Sequence, residues 1–155
     1  MNFKTAIVLA MFAVAGNAAE LSVGSATLNT TAGQPAALNV TLASSGAALT
    51  GLQFDLEYDA AVLNVTIAAG SAAEGAGKNV QAAALQAGHQ RIMIVGMNRT
   101  TIADGVVAVL QVSLKGQVAA GKTFAIRITA PAGTNAQAQA VAISGGSGSV
   151  QVENR

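Results

Sequence analysis

The chain contains no cysteine and no tryptophan, a single histidine and two prolines in 155 residues. Without cysteine there is no disulfide, no thiolate metal ligand and no thiol nucleophile, so the fold must hold by burying apolar surface. Aromatic residues make up 3% of the chain, which leaves few rings on which a sugar could stack. Charge is scarce as well, at 10% of residues, and nearly balanced, with 8 Lys and Arg against 7 Asp and Glu. The positive residues are scattered, so there is no basic patch for a phosphate backbone or an anionic lipid surface. Nucleic acid and membrane are therefore excluded as partners.

Long apolar runs are also missing, with one exception. Ala6 to Ala15 is unbroken, follows Lys4 and precedes the small residues Gly16-Asn17-Ala18. It is too short to span a bilayer, which takes about 20 residues, and has the length of a secretory signal core. Residues 1–18 are thus expected to be a signal peptide cut after Ala18, with a cut after Ala19 as the near alternative. Residues 19–155 form one domain on the usual size prior. Without Lys4 its charges balance, and it is expected to be secreted, either outside the cell or in a periplasm.

What is present is alternation. Leu52, Phe54, Leu56 and Tyr58 alternate with Gln53, Asp55 and Glu57, the period of a strand with one dry and one wet face. After a break at Asp59-Ala60-Ala61 the pattern resumes with Leu63, Val65 and Ile67. Similar short runs start at Leu21 and Ala36, span Val106 to Leu114, and place Phe124, Ile126 and Ile128 on one side. Arg91 to Met97 is apolar on both faces, as a strand inside a sheet is. Val80 to Ala87 is assigned as a strand although its alanines favour helix. Gly70 to Lys78 and Gly116 to Gly121 read as loops, Thr31 to Pro35 as a turn, and Pro131 as a strand end. Short strands divided by Gly, Asn, Ser and Pro imply an all-β sandwich.

The chemistry-bearing residues favour no reaction. Asp55, Glu57 and Asp59 line up on one strand, and alternate residues lie about 6.5–7 Å apart, within the roughly 6.5–9.5 Å of an inverting glycosidase pair. A flat strand face, however, lacks the burial that raises the pKa of an acid catalyst. His89 falls in Gly88-His89-Gln90, which reads as an exposed turn. No Asp-x-Asp-x-Asp calcium loop occurs, and Asp59 and Asp104 read as turn formers. Four Asn-x-Thr triplets, at Asn29, Asn39, Asn64 and Asn98, read as solvent-facing strand residues. No catalytic residue, metal site or cofactor is assigned.

Three segments carry a resemblance. Gly33-Gln34-Pro35 leads into Leu38-Asn39-Val40-Thr41, Phe54 to Leu63 contains Tyr58-Asp59-Ala60-Ala61-Val62-Leu63, and Asp104-Gly105-Val106-Val107-Ala108 opens a later strand. In this order and spacing they resemble cohesin modules, extracellular sandwiches that hold a partner module called dockerin. The resemblance implies a nine-stranded two-sheet β-sandwich with jelly-roll topology, related in fold to carbohydrate-binding modules. It implies that one sheet, carrying the third, fifth, sixth and eighth strands, docks the partner.

Carried over, that face comprises Gly51, Gln53 and Asp55 on the third strand and Ile94, Gly96 and Arg99 around the fifth. Val107 and Val109 on the sixth strand and Arg127 on the eighth complete it. For the fifth strand the opposite parity, with Met93, Val95 and Met97 outward, is the alternative. An apolar centre of Ile94, Val107 and Val109 with a polar rim of Gln53, Asp55, Arg99 and Arg127 is how protein interfaces are built. The expected partner is an exported protein with a dockerin-like module, for instance a glycoside hydrolase acting in polysaccharide breakdown. Calcium would enter only through that partner, and the free module would be a monomer. Direct carbohydrate binding and a structural or adhesion subunit are the rival readings.

Overall fold

Alternation in the sequence becomes two packed sheets in the computed structural model, which describes residues 19–30 and 35–153. The expected signal peptide and most of the Thr31–Pro35 turn lie outside the described residues. In chain order the strands are β1 (Ala19–Val23), β2 (Ala26–Asn29), β3 (Ala36–Ala43), β4 (Leu49–Glu57) and β5 (Leu63–Ala69). A short helix α1 (Ser71–Gly75) follows, then β6 (Asn79–Gln86), β7 (His89–Val95), β8 (Gly105–Leu114) and β9 (Thr123–Asn135). The chain continues through β10 (Ala140–Val141), β11 (Ile143–Gly145) and β12 (Ser147–Glu153).

One sheet has the order β11-β1-β3-β8-β5 and the other β2-β12-β9-β4-β7-β6, with β10 added on β9. Ladders are antiparallel except where β1 meets β11 and β2 meets β12. The expected first strand is broken at Gly24-Ser25, so that β1 joins one sheet and β2 the other. Joining β1 and β2, and setting aside the short β10 and β11, recovers the nine strands of the jelly-roll sandwich.

The core between the sheets is built from the alternating positions. Phe54, Leu56, Ile92, Ile94 and Ile126 come from one sheet and Leu21, Leu38, Val40, Leu110 and Val112 from the other, each at most 1% exposed. Burying one such side chain stabilises by about 1.5–3 kcal/mol, and here no disulfide supplements it. Among the described residues no helix is long and apolar enough to cross a membrane.

Three local expectations are corrected. The stretch after Gly70 is not all loop: Ser71–Gly75 is helical, with Ala73 buried and α1 packed on β8. Gly70 permits this, because a Cβ there would collide with the Val106 carbonyl. Pro131 does not end its strand. β9 continues to Asn135, and the register shift between Gln53 and Asp55 leaves Ala130 and Pro131 as a bulge. Ala130 has φ 48°, and a bulge is where a residue without an N–H can be accommodated in a sheet.

Asn79–Gln86 is a strand despite its alanines. It forms a hairpin with β7 through the two-residue turn Ala87-Gly88, where Gly88 has φ 76°. Antiparallel pairing with β7 overrides the weak helix preference of alanine. His89 accordingly begins β7 and is not an exposed turn residue.

Phe54→Ala should cost about 3–5 kcal/mol in urea denaturation, because a fully buried ring at the sheet–sheet contact leaves a cavity. Val95→Ala, on the outer surface, should stay within about 0.5 kcal/mol of the parent.

Candidate partner-binding face

The outer surface of β9-β4-β7-β6 is set by register. Gln53 pairs with Met93, Asp55 with Arg91 and Glu57 with His89, and directly opposed residues point to the same side. On the other flank Gly51 pairs with Thr134, Gln53 with Ala132, Asp55 with Thr129 and Glu57 with Arg127. Phe54 and Leu56 point inward, so Gly51, Gln53, Asp55 and Glu57 form the outward row of β4.

Asp55 sits at the centre of a polar cluster. Arg91 donates to it twice, from Nε to Oδ1 at 2.9 Å and from Nη2 to Oδ2 at 3.2 Å, and His89 Nε2 lies 2.9 Å from Oδ2. These neighbours cover the carboxylate, leaving Asp55 4% exposed although it lies on the outer face. The Arg91 hydrogen bonds outweigh the opposing effect of burial, and with the His89 contact they hold the Asp55 carboxyl below its ordinary 3.8. Beside it Glu57 accepts from Arg127 Nη2 at 3.2 Å and from Thr129 Oγ1 at 3.0 Å. A proton-donating catalytic acid needs the opposite shift, so Asp55 is not suited to that role.

Away from this cluster the face becomes apolar. Gly51, Leu52, Gln53, Met93, Val95, Ala132, Gly133 and Thr134 line a shallow groove of ≈ 220 Å³. A Cβ on Gly51 would stand 2.9 Å from Thr134 Oγ1 and 3.8 Å from Val95 Cγ1, so the glycine forms the floor between them. At the opposite end a wider, open depression of ≈ 750 Å³ is bordered by Glu57, Tyr58, Asp59, His89 and Arg127.

The loop after β7 is pinned from beneath. Lys78 is 3% exposed, and its Nζ donates to Asn98 Oδ1 at 2.6 Å and to the Asn98 carbonyl at 3.2 Å. Burial lowers the Lys78 pKa. Asn98 also donates to the Ala76 carbonyl and accepts from the Thr100 N–H. It is therefore a structural tie, unlike Asn39 and Asn64, which are exposed along β3 and β5. The Asn29 Oδ1, expected in solvent, is buried. Asp59 does act as a turn former, accepting the Ala61 N–H, whereas the Asp104 carboxylate accepts the N–H of the distant Ser44 and ties two loops together.

Of the residues assigned to the face from sequence, Gly51, Gln53, Asp55 and Arg127 are brought together on it. Ile94 is not: it is fully buried in the core, and its neighbours Met93 and Val95 face outward. The pairing of Leu52 with Ile94 forces that parity. Val107 and Val109 are not on this sheet either, because β8 pairs with β3 and β5 in the opposite one. Val107 lies at the Val40/Thr41 irregularity of the β3–β8 ladder and is fully buried; Val109 is half-buried opposite Asn39 and Ala68.

Gly96 lies just past β7, where a Cβ would meet the Gly77 carbonyl at 2.8 Å, so its small size serves packing. Arg99 is exposed in the loop beyond. Sequence reading missed Glu57, His89, Arg91, Thr129, Ala132 and Thr134 as members of the face. Their outward parity was legible once the partner strand was known, but the pairing itself was not.

A lowered folded-state pKa means the unfolded chain holds the Asp55 proton more readily. The stabilisation is therefore full above the ordinary carboxylate range and is lost as pH falls through the folded value. Asp55→Asn should cost about 1–3 kcal/mol at neutral pH by urea denaturation, with the gap to the parent closing below about pH 4.

The family model described as the cohesin domain matches residues 19–152. Among solved structures, CaCohA2 from Clostridium acetobutylicum aligns with TM-score 0.72 at 16% identity, over 88% of this chain and 92% of that one. The sixth cohesin of Acetivibrio cellulolyticus scaffoldin B, in complex with a mutant Cel5 dockerin, aligns with TM-score 0.69 at 22% identity, over 89% and 99%. A non-cellulosomal cohesin from the archaeon Archaeoglobus fulgidus aligns with TM-score 0.69 at 14% identity, over 87% and 91%. At these identities the structures share the fold. No curated protein sequence matches significantly. The chain belongs to the cohesin domain family.

Proposed function

We propose that this protein is an exported, non-catalytic docking module that holds a dockerin-bearing protein against the outer face of β9-β4-β7-β6. The observation that carries the reading is the family match over the whole sandwich, joined to a face with an uncharged apolar centre and a paired polar border. That combination is the anatomy of a protein interface. Several of the matching structures are cohesins solved in complex with dockerins, from Acetivibrio cellulolyticus and Clostridium thermocellum.

The partner would be an exported enzyme of polysaccharide breakdown that carries the dockerin. Gly51, Gln53 and Arg127 remain assigned to the contact. Met93 and Val95 replace Ile94, Val107 and Val109 at its centre, Asp55 acts by ordering Arg91, and Arg99 lies at the margin. Direct sugar binding has less support, since no aromatic ring among the described residues is fully exposed. Phe54 is fully buried, while Phe124 and Tyr58 pack against the core, with the Tyr58 hydroxyl 2.6 Å from Gln90 Nε2.

Export follows from the sequence of residues 1–18, and the mature protein begins with Ala19, which contributes to the core. N-terminal sequencing of the exported protein should read from Ala19 or Glu20; retention of residues 1–18 would remove the export reading.

The docking reading is checked by titrating the purified protein with an array of purified dockerin modules in a calorimeter. At least one should bind one-to-one with a Kd of about 1 μM or tighter. Silence across the array, with the protein folded, would overturn it.

A further inference from the structure

The outer face of β9-β4-β7-β6 divides into two halves of different chemistry. In the polar half each charge is already answered. Arg91 and His89 bind Asp55, Arg127 and Thr129 bind Glu57, and the two carboxylates offset the two guanidiniums. A cationic partner side chain reaching for Asp55 would have to displace Arg91 from a nearly covered carboxylate. An anionic one would meet guanidiniums that are already bonded. The patch offers an incoming charge no net sign to match, and exchanging one ion pair for another of the same kind yields little.

The groove in the other half is lined by no charged residue, with Arg99 lying outside it in the loop after β7. Its volume of ≈ 220 Å³, between Gly51, Met93, Val95 and Ala132, is smaller than the roughly 300–1,000 Å³ of small-molecule sites. It is suited to a single side chain projecting from a protein surface. Val95 is 41% exposed, and Met97, two residues further on, is 103% exposed, so the apolar surface continues past the groove. Large apolar side chains left in water next to a groove mark contact surface.

We infer that the partner is selected by an aliphatic side chain of its docking segment, seated over Gly51 between Val95 and Ala132, with ion pairs contributing little to affinity. This rests on the docking reading above. Gly51 is the specificity-determining position, because any side chain there occupies the space the partner needs.

The probe is the Cel5 dockerin module, together with every array member that binds, titrated into the purified protein at about 0.05 and 0.5 M NaCl. Affinity should change less than about threefold between the two salts. Gly51→Val, which fills the groove, and Val95→Asp, which charges its wall, should each weaken binding about 30-fold or more. Val109→Ser, on the opposite sheet, should bind as the parent does. If Gly51→Val does not fold, Val95→Asp at its exposed position carries the test alone. A tenfold or greater loss with salt, combined with parent-like binding by the variants, overturns the inference and leaves the docking module standing. Binding by no dockerin removes both.

Discussion

Antiparallel pairing of β4 with β7 on one side and β9 on the other is the constraint from which the rest of the molecule follows. It turns Leu52, Phe54 and Leu56 into the floor of the core and sends Gln53, Asp55 and Glu57 outward. It also decides which foreign side chains stand beside them. A shift of one residue in the β4–β7 ladder would put Ile92 and Ile94 into water and Arg91 into the core. The cost of burying the Arg91 guanidinium forbids that shift. The bulge at Ala130 and Pro131 then lets β9 follow β4 past the point where a proline would break the ladder.

Charge on the outer face of β9-β4-β7 is consumed within the face. With few charged residues, four of them are spent on two cross-strand pairs on a single face. Asp55 is almost removed from water, which is tolerable only because Arg91 and His89 supply hydrogen bonds to both of its oxygens. The pairing stiffens one half of the face and leaves the other uncharged and apolar. The docking surface proposed above would discriminate by shape more than by field, which suits a domain whose residues 19–155 carry no net charge.

Much of the architecture was legible in the residues. Period-two alternation located the strands of the core, and three short segments in the right order pointed to the family. Val80 to Ala87 came out as a strand even though local propensity argued otherwise, because its register partner lies across a two-residue turn. The outer face proposed for docking was legible only in part. Gly51, Gln53, Asp55 and Arg127 follow from parity within strands whose inner face is unmistakable. Ile92 to Val95 is apolar on both sides, so parity there rests on Arg91 alone, and Ile94 was assigned to the wrong face. Val107 and Val109 were misplaced for a different reason, since alternation says which side of a sheet a residue occupies but not which sheet.

From its sequence alone this protein is determined to be a cysteine-free all-β sandwich with a dry interior, few exposed rings and a balanced charge. Those properties depend on composition and on periodicity, which are local. Which strands neighbour one another, that Asp55 meets Arg91 and His89, and that Met93 and Val95 flank a groove floored by Gly51 were decided only in three dimensions. The reason is physical: the cross-strand partners of β4 lie 32 to 86 residues away in the chain. Only the simultaneous burial of both inner faces selects the register that brings them together.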